Sequence, residues 1–143
     1  MIERSDRLDR ILDQRRSDEE RCHARVCAIR RMISARAQRL SELEAKLITC
    51  AKREERSQHA GDLVAADRFA KRLRHRAGEL RTDLQADHKR LNEALAELAA
   101  AGRRRLAVER LLTARTVDEQ RRAFDSAQAE LDDHGRLRLL EGE

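Results

Sequence analysis

Proline, tryptophan and tyrosine are missing from this chain, and phenylalanine occurs only twice, as Phe69 and Phe124. A globular core takes much of its bulk from aromatic and branched side chains, so an ordinary compact fold is excluded. No apolar run approaches the roughly 20 residues a membrane helix needs, and the opening MIERSDRLDR lacks the apolar stretch of a signal peptide. Cys22, Cys27 and Cys50 are odd in number and scattered. That pattern suits reduced thiols in a cytosol better than a disulfide framework. A glycine-rich phosphate loop with its following Lys-Ser or Lys-Thr is also absent. If ATP is involved in the function, another chain hydrolyses it.

What remains is a highly charged chain, 41% Asp, Glu, Lys and Arg, built mainly from Ala, Leu, Arg, Glu and Gln. Disordered segments of comparable charge are rich in proline, serine and glycine, whereas these residues are strong helix formers. A long-helix or coiled-coil class fits. The net charge of +5 arises from 32 basic and 27 acidic side chains, so the surface is mixed in sign.

The apolar residues are spaced in alternating steps of four and three. From Leu8 the seam runs through Leu12, Arg15, Glu19, Cys22, Val26, Ile29, Ile33, Arg36, Leu40, Leu43 and Leu47 to Cys50. It lapses across KREERSQHAGD, where Ser57, Gln58, His59 and Gly61 are the best turn residues. A second seam begins at Leu63 and passes Ala66, Ala70, Leu73, Ala77, Leu80, Leu84, Asp87, Leu91, Ala94, Leu98, Ala101, Arg105 and Val108 to Leu112. The pattern predicts a single all-α domain over residues 1–143: an antiparallel two-helix coiled-coil hairpin. Its expected parts are a helix at about 3–55, a turn at about 56–62, a helix at about 63–133 and a tail at 134–143.

A fold-back near Gln58 and His59 sets an expected register. It puts Leu47 by Ala70, Leu40 by Ala77, Leu43 near Leu73, Ile33 by Leu84, Val26 by Leu91, Cys22 near Ala94 and Leu8 near Val108, with large against small at the alanines. Arg36 would lie near Leu80 and Asp87 near Ile29, with their stems covering apolar surface. The first helix is then exhausted near residue 115. Beyond it the second helix projects alone, with its C-terminal segment extending past the N-terminus. Val117, Phe124 and Leu131, with Ala127 beside them, form a new stripe there, and an isolated helix is marginal in water. The segment either frays or docks on a partner, and the stripe favours docking.

The two-helix layout, the longer C-terminal helix and the run Glu119-Gln120-Arg121-Arg122 followed by Asp125 resemble a known family. They resemble the stalk proteins of type III export, flagellar FliJ and its injectisome counterparts of the YscO type. The resemblance implies a non-enzymatic stalk that occupies the centre of a hexameric export ATPase and touches the cytoplasmic domain of the export gate. Some members also bind export chaperones. It implies a cytoplasmic location at the inner-membrane export apparatus, without membrane insertion and with no cofactor. Carried over by position, Phe69 and Leu73 match a gate-binding pair, with Arg76 and Leu80 continuing that face where flagellar members have a small residue and histidine. The ATPase-facing set would be Leu8, Ile11, Leu112, Arg115, Gln120, Arg121 and Phe124.

Other constellations are weaker. His23 and Cys27 share a helical face, but further ligands at metal-site spacing are missing, so no metal site is expected. His59, His75, His88 and His134 are scattered and adjoin no nucleophile arrangement. RFAKRLRHR, residues 68–76, carries five Lys/Arg without an acid, and Arg103, Arg104 and Arg105 follow Gly102. A nucleic-acid-binding hairpin is the rival function, but no aromatic stacking surface or groove-reading motif supports it. An acidic protein partner or a solvated face fits better. A generic scaffold coiled coil is the remaining alternative.

Overall fold

With no proline to stop it and a surfeit of helix formers, the chain has little reason to break its backbone hydrogen bonding outside the turn segment. The computed structural model describes residues 2–142, and Met1 and Glu143, the ends of the expected domain and tail, lie outside them. It contains two helices, α1 over Ile2–Arg56 and α2 over Ala60–Glu141, and no strand among the described residues. Arg53 and Arg56 sit in the last turn of α1 and Asp62 in the first turn of α2, each opposing the local end of the helix dipole.

The break is shorter than the expected turn. Only residues 57–59 are non-helical, and the amide of Leu63 already donates to the His59 carbonyl at 3.1 Å. Gly61 therefore belongs to the first turn of α2 and not to the link. At the other end α2 runs through Gly135 to Glu141, well past the expected end at residue 133. Arg136, Leu137, Arg138, Leu139 and Leu140 are good helix formers, and one exposed glycine costs only about 1 kcal/mol.

The chain divides into two compact units, residues 20–100 and residues 1–19 with 101–143. Within the first, the heptad seam is the core. Val26, Leu43, Cys50, Ala70, Ala77, Leu80, Asp87 and Ala94 are buried, and the other seam positions are half-buried, except for Leu63. Within the second, Leu12 and Ala101 are buried, while Leu8, Arg15, Glu19, Arg105, Val108 and Leu112 are half-buried.

The register differs from the expectation by about one heptad. Arg36 donates to Asp87 at 2.5 Å instead of lying beside Leu80. Arg81 reaches Glu44 at 3.1 Å and Arg25 reaches Glu97 at 2.8 Å, pairs displaced in the same direction. Leu43 is then level with Leu80, and Leu47 with Ala77. In the other unit Arg105 bonds Glu19 and, at 3.0 Å, Glu109. The physical reason lies in the polar interruptions of the seam. In the expected register Arg36, Asp87, Glu19 and Arg105 would each face an apolar residue. One heptad further they pair as Arg36 with Asp87 and Glu19 with Arg105, which removes the desolvation penalty of unpaired charge.

Gly102 has its explanation here. The helix continues through it, and a Cβ at this position would come 3.3 Å from the Glu19 carboxylate that Arg105 holds. The glycine leaves room for the ion pair. Gly78 differs, because a Cβ there would meet nothing within 4 Å. Gly78→Ala should therefore stabilise the hairpin by about 0.5–1 kcal/mol through helix propensity alone. A urea-unfolding comparison checks this, and a lower midpoint for the variant would contradict the open geometry at this site.

Candidate functional site

Two helical segments can be followed until one runs out of partner. In the unit of residues 1–19 and 101–143, Arg115 donates to the Arg4 carbonyl at 3.2 Å, close to the start of α1. Every described residue from Thr116 onward is exposed. This bare part of α2 carries the stripe: Val117 is 49% exposed, Phe124 69% and Leu131 65%. An uncovered aromatic between two aliphatics at heptad spacing is an unsatisfied apolar feature of the segment.

The residues assigned to ATPase contact separate into two groups. Leu8, Ile11, Leu112 and Arg115 are half-buried where α1 and α2 meet, so they hold the pair together as much as they offer a surface. Gln120, Arg121 and Phe124 are exposed on the extension. Arg4, Arg115, Asp118, Glu119 and Arg122 line a shallow groove beside the start of α1. Its walls are charged side chains of both signs, suited to charged docking contacts. The sequence expectation stopped at Leu131 and missed Leu137, Leu139 and Leu140, all exposed. Their signal is the RLRLL run itself, beyond the expected helix end at about residue 133.

The gate-binding assignment is only partly brought together. Phe69 is exposed, but Leu73 is half-buried and Leu80 is buried in the seam. Arg76 is exposed and bonds Glu79 at 2.9 Å, with His75 on the same carboxylate at 2.9 Å. The Arg76 hydrogen bond holds the Glu79 carboxyl below its ordinary value of 4.5. Phe69 and Arg76 are thus the accessible members of that set, and Leu80 does not continue the face.

His23 and Cys27 do meet, with Sγ 3.7 Å from Nδ1. Among the described residues, no group of three or more His, Cys, Asp or Glu side chains is arranged to hold a metal ion. No helix there is long and apolar enough to cross a membrane. No family model, curated protein or solved structure matches the chain.

Proposed function

We propose that this chain is the central stalk of a type III export apparatus, a non-enzymatic rod whose paired chain ends enter a hexameric export ATPase and whose flank reaches the export gate. The observation that carries the reading is the bare C-terminal segment of α2, helical to Glu141 and striped by Val117, Phe124 and Leu131, which stay exposed among the described residues. A helix of this kind supports docking on another protein, because water neither covers its apolar face nor sustains an isolated helix well. The identity of that protein comes from the family resemblance of the Glu119–Arg122 run and of the helix order. One asymmetric rod in a six-fold ring meets each subunit differently and so biases assembly or staggers the catalytic states. Phe69 with Arg76 would make the gate contact, and chaperone binding would follow the same resemblance.

The test is direct. Phe124→Ala should weaken binding to the export ATPase of the same organism by roughly 1–3 kcal/mol, about 5- to 150-fold in Kd, if Phe124 is an interface anchor. Melting of the isolated chain should barely change, because Phe124 is 69% exposed and lies beyond Arg115, which already bonds Arg4 near the start of α1. Calorimetric titration and thermal unfolding on the same variant measure both. Unchanged ATPase binding would remove the stalk assignment of this stripe.

A further inference from the structure

The net charge of the chain is not evenly distributed. Between Lys46 and Arg76 stand nine Lys/Arg against four Asp/Glu, an excess equal to the +5 of the whole chain. All the remaining charges cancel. This stretch lies in the unit of residues 20–100 and contains the link between α1 and α2. Lys71 is neutralised by Asp67 at 3.0 Å, and Arg76 by Glu79. Lys52, Arg53, Arg56, Arg68, Arg72 and Arg74 make no ion pair among the described residues and are all exposed. Within the same stretch Leu63 and Val64, in the first turns of α2, are exposed, Val64 to 53%. Leu63 is the one position of the second seam that the hairpin leaves uncovered. The displaced register accounts for it, since α2 begins beyond the level at which α1 can pack on it.

We propose that the turn end of the hairpin docks peripherally on an anionic lipid surface, with Leu63 and Val64 entering the headgroup region and the free arginines and lysines neutralising lipid charge. Aliphatic side chains flanked by unpaired cations are the combination that interfacial binding uses. A nucleic acid would take the charges but has no use for Leu63 and Val64, and no exposed aromatic row is present for stacking on bases. A folded acidic protein would favour cations on one face. Here Arg72 and Arg74, two residues apart on a 3.6-residue turn, face nearly opposite sides of α2, and Lys52, Arg53 and Arg56 add a third direction from α1. A fluid surface accepts charge from all of these directions at once. The attachment does not require a spanning helix, and it holds whether or not the chain is an export stalk.

Co-sedimentation of the full chain with vesicles tests this. Partitioning onto phosphatidylcholine containing about one third phosphatidylserine should exceed that onto phosphatidylcholine alone by about tenfold or more at roughly 0.1 M salt. It should fall steeply toward about 0.5 M salt as the charges are screened. Arg68→Glu with Arg72→Glu should lose about tenfold or more. Arg103→Glu with Arg104→Glu, the same change in net charge placed on the other unit, should bind like the unaltered chain. Leu63→Ser with Val64→Ser should weaken binding at both salt concentrations. The proposal is overturned if the anionic vesicles are not bound, if the two charge-reversed variants fall alike, or if the serine variant is unaffected. Binding of a mixed-sequence RNA without binding of vesicles overturns it equally.

Discussion

Arg36→Leu should destabilise the hairpin by about 3–5 kcal/mol, because it leaves a carboxylate buried without its cation. Asp87 is 1% exposed, and one of its oxygens, Oδ1, already has no hydrogen-bond partner. The other, Oδ2, depends on Arg36 at 2.5 Å, and Arg90 approaches only to 3.9 Å of Oδ1. The reciprocal change, Asp87→Leu, should cost less, since the Arg36 side chain is 33% exposed and can turn its guanidinium to water. Joined as Arg36→Leu with Asp87→Leu, the pair should recover most of the lost stability or exceed the starting value. The cost of the double change is specificity, as two apolar seams no longer distinguish registers one heptad apart. Urea unfolding of the two single variants and the double one closes a cycle whose coupling term reads the pair directly. Additive effects would mean that Arg36 and Asp87 do not interact.

Leu43→Asp should be comparably damaging, at about 3–5 kcal/mol, through burial of an unpaired carboxylate in the seam. Leu43 is 2% exposed and lies among the largest fully buried side chains, and Arg81, beside Leu80 on the facing helix, is already held by Glu44 at 3.1 Å. The matched control is Arg39→Asp on the exposed side of α1. Arg39 donates to Glu42 at 3.3 Å, an exposed pair, so its loss and the new like charge should cost well under about 1 kcal/mol. Circular dichroism melts of the two variants should be far apart. Equal melting temperatures would place the seam elsewhere on α1.

These contrasts show how the fold was legible and where it was not. Heptad spacing found the two seams because period and burial are tied by helix geometry: each position from Leu8 to Cys50 and from Ala66 to Leu112 that falls on the repeat is buried or half-buried. The register was not legible from side-chain size. Alanines recur one heptad apart along the second seam, as Ala70 with Ala77 and Ala94 with Ala101, so sliding by one heptad again opposes large to small at several layers. Charge decides it, through Arg36 with Asp87 and Glu19 with Arg105, and those pairs become visible only when polar interruptions are matched across the hairpin before apolar ones. Assuming that both helices reach the link at the same level hid this, and Leu63 and Val64 are exposed as a result.

The candidate docking stripe was legible for a related reason. Val117, Phe124 and Leu131 leave the seam face after Leu112, and that phase change marks the point at which α1 no longer dictates which side of α2 is apolar. The Phe69, Leu73 and Leu80 set was less legible, because spacing alone does not separate the edge of a seam from its centre. Leu73 and Leu80 serve the core, leaving Phe69 beside it.

The central claim is that the bare segment of α2 is a docking surface for an ATPase ring, and site-specific photo-crosslinking tests it most directly. A photoreactive amino acid replacing Leu131, 65% exposed and distant in sequence from Arg115 and the groove beside Arg4, would be placed in the full chain and irradiated with the purified export ATPase. The stalk account predicts a covalent adduct with the ATPase subunit, suppressed by an excess of unlabelled chain and weakened by Phe124→Ala in the same molecule. A crosslink confined to the chain itself, or no adduct under conditions where the ATPase is captured through another region, would contradict it.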